Sequence, residues 1–129
     1  MKDDTLIKER NSVLMLAYEQ VIKENRDIAP FLSKTYIFSL VVQKEAPSFY
    51  ISDQVVRRII RCKGETNELG YYHTRDKDVY QLYLKLKELH EDYRNIDIIR
   101  IITNHRAPSF YLNHYTASQI IDRILRKWK

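Results

Sequence analysis

The residues best suited to chemistry are basic, and they cluster. Gln54, Arg57, Arg58, Arg61 and Lys63 fall within residues 54–64, a stretch that contains no acid. Arginine pairs bidentately with guanine and glutamine with adenine, and any of these bases could instead hold a phosphate. A second set, Arg123, Arg126 and Lys127, follows later, with Asp122 beside it to repel phosphate. Basic clusters of this kind are an electrostatic footprint for nucleic acid. The plainer explanation is a solvated helix face.

Catalytic patterns are absent from the sequence. His73, His90, His105 and His114 fall in neither a His-Glu-x-x-His nor a Cys/His zinc spacing. His73 with Asp76 and Asp78 could hold a cation loosely, although acids at the start of a helix are explained by its dipole. No serine sits in a nucleophile elbow. Cys62 reads as a small, half-buried residue at a helix end. Tyr71 and Tyr72 lack the metal-binding histidine pair that a DNA-cleaving tyrosine would need. The expectation is a protein that is not an enzyme, with no metal and no cofactor.

The elements that must position these side chains are marked by a repeat. Ala-Pro-Ser-Phe-Tyr occurs at 46–50 and again at 107–111, an offset of 61 (107 less 46). The surroundings align at the same offset without a gap, Ile37 on Ile98, Ile51 on Leu112, Ile59 and Ile60 on Ile120 and Ile121. Fixed-period self-similarity signals a repeated supersecondary unit. The fold expected is all-α, a tandem duplication of a three-helix, helix-turn-helix-like unit, with about six helices. The first unit would span 1–64 and the second 65–129, packed together as one globular domain.

Within each half the pattern predicts three helices. Leu6, Arg10, Val13, Leu14, Ala17, Tyr18 and Val21 predict a helix over 6–24, and Val79, Leu82, Tyr83, Leu86, Leu89 and Tyr93 predict its counterpart over 76–93, capped by Thr74. A second helix is expected to reach Lys44 in one half and to cover 95–104 in the other. The β-branched runs at Val41–Val42 and 98–102 could also be strands, and alignment of the halves decides for helix. Pro47 and Pro108 then end these helices, since the residue before proline avoids the helical conformation. Ser52 and Asn113 are N-caps for third helices that bury Val55, Val56, Ile59 and Ile60, or Ala117, Ile120, Ile121, Ile124, Leu125 and Trp128. Gly64 suits a left-handed cap, and 64–75 reads as a linker.

Composition bounds the rest. Only 2 glycines and 3 prolines leave little material for the turns of a β-sandwich or for a phosphate-binding loop. Cys62 is the sole cysteine, so no intrachain disulfide forms and a reducing compartment fits. The apolar stretch 13–18 is too short to span a membrane, and acids among the first ten residues do not suit a signal peptide, so a cytoplasmic location is expected. The net charge of +5 is uneven. Bases concentrate after each pentapeptide, whereas 65–97 is acidic.

The Ala-Pro-x-Phe-Tyr turn, followed by a capped helix with paired aliphatics and arginines, resembles small bacterial proteins that carry a similar turn. The resemblance covers 43–64 and 104–127. It implies a bacterial origin and no particular activity.

A helix, a turn and a capped, arginine-bearing helix form the outline of a helix-turn-helix. The function expected is therefore a non-catalytic DNA-binding protein, a regulator or a mobile-element accessory factor. Double-stranded DNA would be its partner, and the third helix of the first half its contact. The alternative is a protein–protein interaction or oligomerisation module, since arginine-rich faces and exposed tyrosines also suit interfaces. A homo-oligomer fits that alternative, and a membrane fits neither.

Overall fold

The structure is a computed structural model that describes residues 4–66 and 70–127. Among the described residues it is all-helical. The six helices are α1 (Asp4–Glu24), α2 (Lys34–Gln43), α3 (Asp53–Arg61), α4 (Tyr71–Leu89), α5 (Asn95–Thr103) and α6 (His114–Lys127), with a single 3₁₀ turn at Ala29–Phe31. The β-branched runs are thus helical, because their apolar positions recur every three or four residues. In α5, Ile98, Ile99 and Ile102 are all buried.

Capping chemistry sets several boundaries. The Ser52 hydroxyl accepts a hydrogen bond from the Val55 amide at 3.3 Å, and Asn113 Oδ1 accepts one from the Thr116 amide at 2.7 Å. Ser33 does the same for α2, accepting from the Tyr36 amide at 3.1 Å. Thr74 is not a cap. Helix α4 begins at Tyr71, after Gly70 at φ 62°, because nothing in Tyr71–Tyr72–His73 breaks a helix and the glycine does. Residues 71–75 of the supposed linker are therefore the start of α4. Trp128 lies outside the described residues.

The helices group differently from the sequence halves. One compact unit consists of Met1–Ala46 with Pro108–Lys129, and the other is the continuous segment Pro47–Ala107. In the first unit α1, α2 and α6 pack on one another, and in the second α3, α4 and α5 do so. Each unit thus combines the first and second helices of one half of the sequence with the third helix of the other half. The expected boundary near Gly64 falls inside the second unit. The two helices of each expected helix-turn-helix, α2 with α3 and α5 with α6, belong to different units.

The pentapeptide accounts for this exchange. The unit boundaries fall between Ala46 and Pro47 and between Ala107 and Pro108. Proline disfavours the helical conformation in the residue before it, and α2 and α5 both end a few residues ahead of these prolines. The Phe110 amide then donates to the Val42 carbonyl at 3.1 Å, within the first unit. In the second unit the Ser48 hydroxyl donates to the Thr103 carbonyl at 3.2 Å. Val42 and Thr103 are themselves 61 positions apart. Each pentapeptide is anchored to the end of the second helix of the opposite half.

The cores are aliphatic. The first unit buries Leu14, Ala17 and Val21 of α1, Phe38, Val41 and Val42 of α2, and Ala117, Ile120 and Ile121 of α6. The Tyr18 and Phe38 rings stack at 5.4 Å. The second buries Val56 and Ile59 of α3, Val79 and Leu86 of α4, and the three isoleucines of α5. Phe49 and Phe110 are buried as well. Val55, Ile60, Ile124 and Leu125, expected inside, are only half-buried.

Candidate nucleic-acid interface

Helix α3 sorts its residues cleanly. Val56 and Ile59 are inaccessible, whereas Gln54, Arg57 and Arg61 are exposed at three- and four-residue spacing and so share a face. Lys63 follows, exposed, at φ 55°, and Gly64 at φ 77° donates its amide to the Ile59 carbonyl at 2.9 Å. This double left-handed stop ends the helix and satisfies one of its last carbonyls. Gly64 cannot be replaced freely, because a Cβ there would meet the Tyr80 Cβ at 3.1 Å in addition to the backbone strain. Close packing of α3's end on α4 therefore needs this glycine.

Arg57 and Arg61 border a cleft of about 250 Å³ with Ile60 from α3 and with Asn95 and Ile99 from α5. Asn95 Oδ1 accepts a hydrogen bond from the Tyr83 hydroxyl at 3.3 Å, which orients the amide at the cleft. The cleft is floored by isoleucine and edged by guanidinium groups. Among the described residues, Arg57, Arg61 and Lys63 have no ion-pair partner.

Arg58 behaves differently from its neighbours. It is half-buried, and its Nη2 lies 4.0 Å from Asp76 Oδ2. Asp76 is fully inaccessible. Arg75 donates to Asp76 Oδ1 from Nε at 3.0 Å and from Nη2 at 2.9 Å, and the Thr66 hydroxyl donates to Oδ2. The Arg75 guanidinium also covers the Tyr72 ring at 4.6 Å. A buried carboxylate is tolerated when charge and hydrogen bonds surround it. Here three segments of one unit, α3, the loop after Gly64 and α4, converge on a single acid. Asp76 is thus neither a surface helix-start acid nor a loose cation ligand, and its role has no signal in the sequence beyond an acid in helical phase with buried Val79.

The second basic set lies on α6, in the other unit. Arg123, Arg126 and Lys127 are exposed, but Asp122 pairs with Lys34 of α2 at 3.0 Å. Gln119, Asp122, Arg123 and Arg126 border a mixed-charge cleft of about 200 Å³. Comparing the third helices at the repeat offset separates core from surface. Buried or half-buried positions keep apolar residues, Val56 with Ala117, Ile59 with Ile120 and Ile60 with Ile121, whereas Arg57 falls on Ser118 and Arg61 on Asp122. The arginine face of α3 is therefore not part of what repeats.

The remaining candidates are quickly placed. Cys62 is exposed, not half-buried, because it is the C-cap beyond the last buried turn of α3. Among the described residues no group of three or more His, Cys, Asp and Glu side chains could hold a metal ion, and no helix is long and apolar enough to cross a membrane. Comparison with known proteins finds no matching family model, no similar curated protein and no similar solved structure.

Proposed function

We propose that this chain is a non-catalytic DNA-binding protein whose contact surface is the exposed face of α3. The observation that carries the reading is the set Arg57, Arg61 and Lys63, solvent-facing and without an ion-pair partner among the described residues. Gln54 at the start of the same face supplies a group able to read a base edge. Arg58 is excluded from the contact set, since its charge is directed at Asp76. Arg123, Arg126 and Lys127 on α6 supply weaker, backbone-only contacts, tempered by Asp122. The groove-reading geometry is that of a single helix face and not of a packed helix-turn-helix pair.

The fold belongs to the same proposal. Two halves of about sixty residues descend from one duplicated three-helix plan, supported by the recurring pentapeptide, its matching backbone and the apolar positions shared by α3 and α6. The duplication preserved cores and hinges and left the surface of α3 to diverge toward phosphate binding. A regulator or mobile-element accessory factor working in the cytoplasm fits such a surface.

The test is salt-dependent binding to random duplex DNA by fluorescence anisotropy. If Arg57 and Arg61 both touch phosphate, replacing both with alanine lowers the slope of log affinity against log salt by about 2. No binding even at low salt overturns the reading. Two observations favour a second reading, a protein-interaction module. The α3–α5 cleft has an apolar floor, and Phe31 in the first unit is 86% exposed.

A further inference from the structure

The first unit is the only one assembled from two separate stretches of chain, and α6 is its contribution from the far stretch. The second unit, Pro47–Ala107, is continuous and complete without α6. Withdrawing α6 would therefore leave α3, α4 and α5 intact while uncovering apolar residues of α1 and α2. Those residues need a helix with Ala117, Ile120 and Ile121 in register. They have no means of distinguishing the α6 of their own molecule from that of another.

Only the connection distinguishes the two cases. Residues 104–113 carry the chain from α5 to α6, and they contain Pro108, which holds Ala107 extended, and Tyr111 at φ 55°. This connection joins α5 of the second unit to α6 of the first. It already delivers the helix to a group built by the other half, as the matching hinge at 46–50 delivers α3. Segments joined in this way exchange between identical molecules at small energetic cost, because the buried contacts of the exchanged helix are kept.

We infer that residues 107–111 are an exchange hinge, and that a second copy of this chain is a partner whose α6 completes the α1–α2 pair, giving a dimer with reciprocally exchanged α6 helices. The dimer keeps both three-helix cores and differs from the monomer at the hinge. Its formation requires transient opening of the first unit, so it is slow and favoured by high protein concentration. Once formed it persists on dilution.

The experiment uses the full chain in tagged and untagged forms. The two are unfolded together and refolded together at high concentration, or refolded separately and then mixed. Size exclusion with light scattering reports mass, and affinity capture reports mixed species. The expected result is a dimer containing both forms only after joint refolding, stable on dilution and reverting to monomer after unfolding and refolding at low concentration. Deleting Pro108 and Ser109 shortens the hinge and raises the dimer fraction. Deleting Pro47 and Ser48 instead does not. Monomer alone after joint refolding of the wild type overturns the inference, as does a dimer that equilibrates on simple mixing, which marks ordinary surface association. A larger response to the deletion at 47–48 overturns the assignment to α6. If either shortened variant loses its helical circular dichroism, the tagged and untagged wild-type chains still decide whether exchange occurs.

Discussion

Tyr50 and Tyr111 hold the same left-handed backbone, at φ 56° and 55°, although neither is a glycine. Each donates its amide to the serine two residues earlier, Tyr50 to Ser48 Oγ at 3.0 Å and Tyr111 to Ser109 Oγ at 3.3 Å. Left-handed geometry costs a side-chain-bearing residue about 1–2 kcal/mol. The same departure at both positions, with the same local bond, gives the two pentapeptides one backbone turn. Tyr111 is buried and Tyr50 half-buried, so ring packing offsets the strain.

Ser48→Ala and Ser109→Ala should each destabilise the protein by about 1 kcal/mol, the usual net worth of one hydrogen bond. Ser48→Ala should be the costlier, since its hydroxyl also donates to the Thr103 carbonyl. Urea unfolding monitored by circular dichroism measures both, and equal, negligible losses would refute a structural role for these hydroxyls.

Phe49 and Phe110 are 7% and 5% exposed. Truncating either to alanine should cost about 3–5 kcal/mol, the penalty for emptying a buried aromatic site. A loss under about 1 kcal/mol with binding abolished would mark the ring as a ligand contact.

Asp76→Ala leaves Arg75, its side chain only 12% exposed, without its carboxylate. The expected loss is about 3–5 kcal/mol, as for breaking one partner of a buried pair. Glu65 also pairs, with Lys77 at 2.8 Å, but it is solvent-exposed, so Glu65→Ala should leave the unfolding midpoint nearly unchanged. Equal effects from the two substitutions would show that the Asp76 cluster holds nothing together.

Arg58→Ala should lower stability and leave the salt dependence of DNA binding unchanged, whereas Arg57→Ala with Arg61→Ala should do the reverse. Both variants are checked by urea unfolding and by anisotropy across a salt series. Parallel losses of binding in both variants would return Arg58 to the contact surface.

Hydrogen bonding from Lys44 lowers the Glu24 carboxyl below the ordinary glutamate value, against a smaller opposing effect of desolvation. A depressed folded-state value means that the pair's contribution is complete above the unfolded glutamate value. It is lost as pH falls through the folded one. Carboxyl NMR titration should therefore find Glu24 ionising at lower pH than an isolated glutamate. Lys44→Met should move it back upward, and no movement would refute the cause.

Much of the local structure is legible in the residues themselves. The three- and four-residue spacing of Leu14, Ala17, Tyr18 and Val21 and of Ile98 and Ile102 specifies helices. Ser52, Asn113 and Gly64 mark ends, because side-chain oxygens and φ above zero act within one turn of backbone. The two proline turns are visible for the same reason. Gly70 in place of Thr74 as the start of α4 is a failure of the same local kind, since a polar, tyrosine-rich stretch resembles a linker until its neighbours pack.

What only the tertiary structure decided is which helix meets which. The apolar stripes of α3 and α6 are alike at Ile59 and Ile120, so pattern alone cannot assign either to one half, and only packing reveals that α3 joins α4 and α5 while α6 joins α1 and α2. Tertiary packing likewise divides a run of bases that looks uniform in sequence. Arg57 and Arg61 stay in water, while Arg58, one residue on, turns about a hundred degrees around the helix toward a carboxylate supplied from α4. Helical rotation is a local property, but the buried acid that gives it consequence is eighteen positions away (76 less 58) and is brought there only by the fold.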